Sequence, residues 1–144
     1  VSVYLDSSVL VAALVEDDPY HRHSLDLLLK HESATWIHGL AETFATLTGG
    51  RLGFRIPPKE AAQLLEQSLW PNLRVLELST DDTRAEIAAA CRAGVRGGAV
   101  YDFLHLGCAR RANVTTLYTL NLRHFVAVAR DADPQIRTPD IATA

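Results

Sequence analysis

Four short apolar runs rich in β-branched and aromatic residues, Val1 to Leu5, Ala34 to Ile37, Leu73 to Leu78 and Val114 to Thr119, are separated by segments with helical spacing. Runs this short suit strands buried on both faces of a sheet, not helices. Strands separated by helices pair in parallel, through right-handed crossovers that lay the helices on both faces of the sheet. The pattern predicts an α/β fold, a three-layer α/β/α sandwich with a mostly parallel sheet.

The helices are bounded by their punctuation. Val9 to Val15 is apolar almost all round, as in a helix enclosed by its domain. Pro19 opens a helix that runs to about Lys30 with a stripe of Leu25, Leu28 and Leu29. Leu40 to Thr48 follows, with Glu42 in its first turn and Gly49-Gly50 as its stop. After a loop over 51–57, Pro57-Pro58 opens a helix through Ala61, Leu64, Leu65 and Leu69. Ser79 to Asp82 has capping-box spacing ahead of a helix closed by Gly94. The last helix runs from about Ala99 to Ala112 with Asn113 as its cap, and Ile136 to Thr138 in the polar tail is an edge-strand candidate.

A chain of 144 residues reads as one domain, 1–144, able to bury a core without staples. With 48% hydrophobic and 22% charged residues, disordered and fibrous classes drop out. The net charge of −3 gives no global grip on nucleic acid, so phosphate binding requires a local basic patch or a bound cation. Cys91 and Cys108 match no zinc or CxxC spacing and read as buried free thiols in a reducing compartment. No apolar run approaches the roughly 20 residues of a membrane span, and a chain opening directly on a strand leaves no room for a leader. A cytoplasmic protein is expected.

In a parallel sheet, ligands bind beyond the carboxyl ends of the strands. Asp6 follows the first strand, Glu42 lies in the helix after the second, and Asp102 lies near the start of the helix before the fourth, places from which the three can converge. Gathered carboxylates cost several kcal/mol per ion unless something neutralises them. Without an organised His or Cys set, the matching ligand is a hard cation, Mg2+ or Mn2+, which also meets phosphate oxygens. A phosphodiester or phosphoanhydride substrate follows. Taken singly, each acid has a plainer reading, Asp6 as a helix cap and Glu42 and Asp102 as charges at positive helix ends. His105, three positions after Asp102, reads as a structural histidine at the helix surface or as a contact to the site; His21, His23 and His31 read as solvated.

Val3-Tyr4-Leu5-Asp6-Ser7-Ser8-Val9-Leu10, Ala41-Glu42, Tyr101-Asp102 and Thr119-Leu120-Asn121-Leu122-Arg123-His124-Phe125 resemble, in this order, the PIN-domain ribonucleases. Within them the chain is most similar to the VapC-type toxins of type II toxin-antitoxin pairs, from Val3 to about Phe125. The resemblance implies a Mg2+- or Mn2+-dependent endoribonuclease with Asp6, Glu42 and Asp102 as its acidic cluster, Asp6 and Asp102 matching the positions that most directly hold metal. Ser8 and Thr119 match small hydroxyl positions that support the cluster or a substrate phosphate. The chain departs from the pattern at Asn121, where many members carry a fourth acid. The implied chemistry is in-line attack by a metal-activated water that Glu42 orients or deprotonates, leaving a 5′-phosphate and a 3′-hydroxyl.

Arg51, Arg55, Arg123 and His124 are then candidate RNA contacts, as are Arg110 and Arg111, unless these two complement their own helix end. The resemblance further implies tRNA or ribosomal RNA as substrate, a VapB-type antitoxin and a homodimer. The helices near Pro19 to Leu29 and Pro58 to Leu69, rich in apolar residues, would carry those contacts or else be ordinary core. Two rivals stand beside this reading. A phosphohydrolase or phospho-receiver with an aspartyl nucleophile wants a second acid where Ser8 stands and a Lys near the phosphate, whereas Lys30 and Lys59 lie on unrelated helices. A catalytically silent RNA-binding module is supported only by Asn121.

Overall fold

A computed structural model describes residues 2–141, so Val1 of the first predicted strand lies outside the described residues. Strand β1 (Val3–Leu5) runs at the centre of a five-stranded sheet, flanked on one side by β2 (Ser33–Trp36) and β3 (Leu73–Leu76) and on the other by β4 (Thr116–Tyr118) and β5 (Gln135–Arg137). All four pairings are parallel; Val3 is in register with Ser33 on one side and Thr116 on the other. The winding reverses between β1 and β4, which makes their carboxyl ends the place where a parallel sheet opens a crevice.

Side chains on a strand alternate between faces. Val3 and Leu5 therefore enter one core with Val9 and Leu10 of α1 (Ser7–Leu14), Leu27 and Leu28 of α2 (His21–Lys30), and Leu40 and Leu47 of α3 (Ile37–Gly49). Ala61 of α4 (Pro58–Leu64) joins them, as do Leu65 and Leu69 of the π-helical turn Leu65–Leu69 that continues it. Tyr4 points to the other face, into a core with Leu106 and Cys108 of α6 (Ala99–Arg111), Leu117 of β4 and Phe125 of α7 (Leu122–Val128). Helix α5 (Thr80–Arg92) packs against α6. The three-layer α/β/α arrangement is as predicted. Among the described residues no helix is long and apolar enough to cross a membrane.

Several expectations change in detail. Helix α3 starts at Ile37, directly after β2, so His38 and Gly39 lie inside it and Glu42 sits beyond its first turn. The helix-dipole explanation for Glu42 loses its basis. Gly39 is required by a close approach, because a Cβ there would stand 2.8 Å from Thr35 Oγ1 and 3.4 Å from His105 Cε1. Helix α7 was not foreseen, and β5 is shifted by one residue from the expected edge strand. Gly50, with φ 86°, and Asn113, with φ 57°, end α3 and α6 in the left-handed region as expected. Leu28, Leu65 and Leu69 are core whereas Leu29 is 55% exposed, so the two readings of these stripes divide between their residues.

Cys91 is exposed, contrary to expectation; Cys108 is buried, and burial pushes its thiol up to about 12 against the opposing effect of Arg111. His21 donates from Nδ1 to the Ala12 carbonyl at 2.8 Å, and His23 Nδ1 accepts from the Asp140 amide, so only His31 is solvated as read. Arg110 and Arg111 are committed to structure. Both pair with Glu86, a carboxylate 2% exposed that also accepts from Arg130 at 2.8 Å, while Arg110 reaches Asp133 at 2.6 Å and Arg111 reaches Asp82 at 2.9 Å. The knot ties α5, α6 and the segment after α7 together and removes these two arginines from the RNA candidates. Gly107 makes room for it: a Cβ there would stand 2.6 Å from Glu86 Cδ.

Candidate active site

Asp6 is held through both of its carboxylate oxygens. It leaves β1 at the switch point, where its amide donates to the Tyr118 carbonyl at 3.2 Å, and it caps α1 by accepting the Val9 amide on Oδ1 at 3.1 Å. The same oxygen accepts Ser8 Oγ–H at 2.6 Å, and Oδ2 accepts Thr119 Oγ1–H at 2.6 Å. Both hydroxyls are themselves fixed: Ser8 Oγ accepts the Leu120 amide and Thr119 Oγ1 accepts the Asn121 amide, each at 2.9 Å. The helix-cap reading of Asp6 is thus correct, and the cap engages Oδ1 alone. One lone pair of Oδ2 is left over, because Oδ1 has two donors and Oδ2 has one.

Glu42 is half-buried and receives a hydrogen bond from His105, Nε2 to Oε1, at 2.6 Å. His105 is itself buried, and its Nδ1 stands 2.5 Å from the hydroxyl of Tyr4. The Trp36 amide donates to that hydroxyl at 3.0 Å, so with a neutral imidazole the Tyr4 proton points to His105 Nδ1 and the ring proton sits on Nε2, toward the carboxylate. A backbone amide of β2 therefore sets the tautomer that grips Glu42. The sequence put His105 on the right face but left its partners unnamed, and it made no mention of Tyr4 beyond its place in the motif.

Asp102 lies in the first turn of α6 and is half-buried, feeling the charges of Asp6, Glu42, His105 and His124. Beside these residues lies an open cleft of about 570 Å3, lined by Ser8, Glu42, Arg51, Asn121 and also Asp18, which sequence reasoning did not single out. Asp18 precedes α2 and accepts the Tyr20 amide at 2.8 Å. Asp6 and Asp102 do not line the cleft; Asp6 lies behind Ser8. Asn121 precedes α7 and makes no side-chain capping bond. Arg55, Arg123 and His124 are exposed, and of the four basic candidates only Arg51 lines the cleft.

Two of the three acids, Asp6 and Asp102, are electrostatically uncompensated. Burial raises the Asp6 carboxyl above its usual range, more than its hydroxyl and amide donors lower it. Burial also raises Asp102, with added repulsion from Asp6 and Glu42 against the pull of His105 and His124. For Glu42 burial acts upward, but the hydrogen bond and charge of His105, with His38, prevail and hold it below the usual value. Among the described residues no three His, Cys, Asp or Glu side chains stand close enough to chelate one ion as placed. The donor chemistry nevertheless suits a hard divalent cation: oxygens only, an open lone pair on Asp6, and surplus negative charge that a cation would relieve.

A family model described as the PIN domain matches residues 3–131. Ribonuclease VapC27 of Mycobacterium tuberculosis is 31% identical over 100 residues, covering 69% of this chain and 71% of that protein. VapC20 of M. tuberculosis, a sarcin-ricin loop cleaving toxin, has a similar structure, with a TM-score of 0.68 at 19% identity over 92% of this chain and 100% of that one. VapBC2 of Rickettsia felis, solved bound to a DNA fragment from their promoter, matches with a TM-score of 0.69 at 19% identity over 97% of this chain and 100% of that one. At these identities the two structures speak to the fold.

Proposed function

The chain belongs to the PIN-domain family, among its VapC-type ribonuclease toxins, and from that premise we propose that it is a divalent-metal-dependent endoribonuclease. The observation that carries the reading is Asp6 at the switch point, clamped by Ser8, Thr119 and the Val9 amide within electrostatic reach of Asp102. So constrained, the carboxylate is costly to the fold and useful as a fixed ligand.

Asp6, Asp102 and Glu42 would share Mg2+ or Mn2+, an ion that keeps several of its waters and does not need all three carboxylates bonded to it directly. When bound, such an ion polarises a phosphodiester and acidifies water. Glu42, kept ionised and oriented by His105, accepts a proton or hydrogen bond from the water that attacks in line. Ser8 and Thr119 hold Asp6 in one rotamer. Asn121 presents its amide to the cleft without adding charge, and Arg51, Arg55, Arg123 and His124 meet the RNA backbone. The products are a 5′-phosphate and a 3′-hydroxyl, the 2′-hydroxyl serving recognition.

The substrate is RNA of the tRNA or ribosomal class, a proposal supported by the sarcin-ricin loop cleavage named for VapC20. A VapB-type antitoxin and a second copy of the chain are the proposed partners. The VapBC complexes of similar fold support the first, and an apolar groove lined by Ile37, Phe44, Leu65 and Trp70 gives a segment somewhere to lie. Two free thiols fit a cytoplasmic site of action. Incubating the single nuclease domain, 1–144, with structured RNA and Mn2+ tests the reading. Cleavage is expected with the wild-type chain and is lost with excess chelator or with Asp102→Asn; an Asp102→Asn chain that cuts as fast as wild type, or wild type that cuts with metal chelated, overturns it.

A further inference from the structure

Three aromatic rings run in series beside the acids. The Trp36 ring, at the end of β2, lies 4.8 Å from that of His38 with the planes tilted by 34°. The His38 ring lies 5.0 Å from that of Tyr101, and these planes are within 8° of parallel. The inner end is anchored: Trp36 is half-buried and meets the His105 ring edge-on at 5.2 Å. The outer end is open, since Tyr101 is 46% exposed. His38 stands four residues before Glu42 on α3 and Tyr101 is next to Asp102 on α6, so the stack joins the two helices that carry these acids.

We propose that the outward face of Tyr101 is a stacking platform for an unpaired nucleobase next to the scissile phosphate, with His38 and Trp36 holding the phenol ring in position. This rests on the ribonuclease reading and names the form of RNA that the site takes. An aromatic ring has two π faces, and His38 covers one of them. An exposed ring already held parallel to a neighbour has lost its rotamer freedom before any ligand arrives, which is how preorganised aromatic contacts gain affinity. Stacking on exposed aromatics is the usual means of gripping single-stranded RNA, and it tolerates any base because every base has a π face. A base inside a duplex has both faces occupied by neighbours, so the platform selects loops and ends. For a chain of net charge −3 it also supplies a grip that salt does not screen.

The test measures binding of a short fluorescein-labelled single-stranded RNA by the full chain carrying Asp6→Asn, at low and at high salt. Adding Tyr101→Ala is expected to weaken binding about 10- to 100-fold, by the same factor at both salts, while Tyr101→Phe stays within about twofold. Arg123→Ala, by contrast, loses affinity by a factor that shrinks as salt rises. The same strand annealed into a duplex binds weakly and is indifferent to Tyr101→Ala. Equal binding by Tyr101→Ala, a Phe variant as weak as the Ala variant, or a variant in which only the oligomeric state changes overturns the platform alone. A parent that binds no RNA overturns it together with the ribonuclease reading. Tyr101 is half-exposed, and unchanged circular dichroism melts of the variants exclude loss of fold as the cause.

Discussion

Tyr4→Phe removes a single oxygen from the sheet's central strand and tests the grip on Glu42. Burial pushes the Tyr4 phenol well above its ordinary value, so it is a neutral O–H donor at any working pH. In the variant the half-buried Trp36 amide loses its acceptor and the buried His105 Nδ1 loses its donor. Leaving a buried polar group unpaired costs about 1–3 kcal/mol, so the two together cost about 2–4 kcal/mol, the amide counted low because water reaches it in part. At about 2–4 °C per kcal/mol for a chain of this size, the melting temperature falls by about 5–15 °C. His105 cannot repair the loss by moving its proton to Nδ1, because that turns a lone pair toward the Glu42 carboxylate. The assays are a thermal melt, an imidazole 15N spectrum and RNA cleavage below the melting range. The expected result is a lower melt, an altered His105 nitrogen pattern and a kcat reduced more than KM is changed. A melt within about 1 °C of wild type, with the His105 nitrogens unmoved, would refute the reasoning.

Asp102→Asn is expected to raise the melting temperature of the metal-free chain at neutral pH. The folded Asp102 carboxyl sits above its unfolded value, so its ionised form costs stability as pH rises through the folded value. The variant's advantage should therefore grow with pH and vanish below about pH 4, where the acid is protonated in both states; a constant difference from acid to neutral pH would contradict this. Gly107→Ala forces a methyl group into the Glu86 carboxylate and should cost about 1–3 kcal/mol in denaturant melts, with cleavage per folded molecule unchanged. Asn121→Asp should tighten Mn2+ binding without RNA in calorimetric titration, since the Asn121 side chain makes no hydrogen bond to the acids among the described residues and the change is chiefly of charge. Unchanged or weaker binding would mean that the amide positions a neighbouring carboxylate.

What the sequence disclosed and what it hid follow physical lines. Short β-branched runs alternating with helical spacing were enough for the parallel sheet, and Asp6, Ser8 and Thr119 meet because β1 and β4 are neighbours. Helix α7 is only seven residues long, so the helical spacing of Leu122, Phe125 and Val126 is too brief to stand out, and of these only Phe125 is buried. The start of α3 was misjudged because Ile37 reads as strand and Gly39 as a breaker. Only the contact with Thr35 and His105 explains that glycine. Glu86 lay unnoticed in a polar stretch of α5; the sole hint was a glycine near Arg110-Arg111 on the facing helix. The Glu42 to His105 bond joins residues far apart in the chain, and helical spacing can orient a side chain but cannot name such a partner. Tyr101 and His38 are far apart in the chain, on α6 and α3, and no local spacing brings their rings together.

The most direct measurement is the sequencing of 5′-phosphorylated RNA ends produced when the chain and Mn2+ are added to total cellular RNA. Ends concentrated at a few sites, predominantly in unpaired segments, carrying 5′-phosphates and absent with Asp6→Asn, are the predicted result. The same ends produced by Asp6→Asn or in excess chelator, or fragments bearing 5′-hydroxyls from attack by the neighbouring 2′-hydroxyl, would contradict hydrolysis at this acidic site.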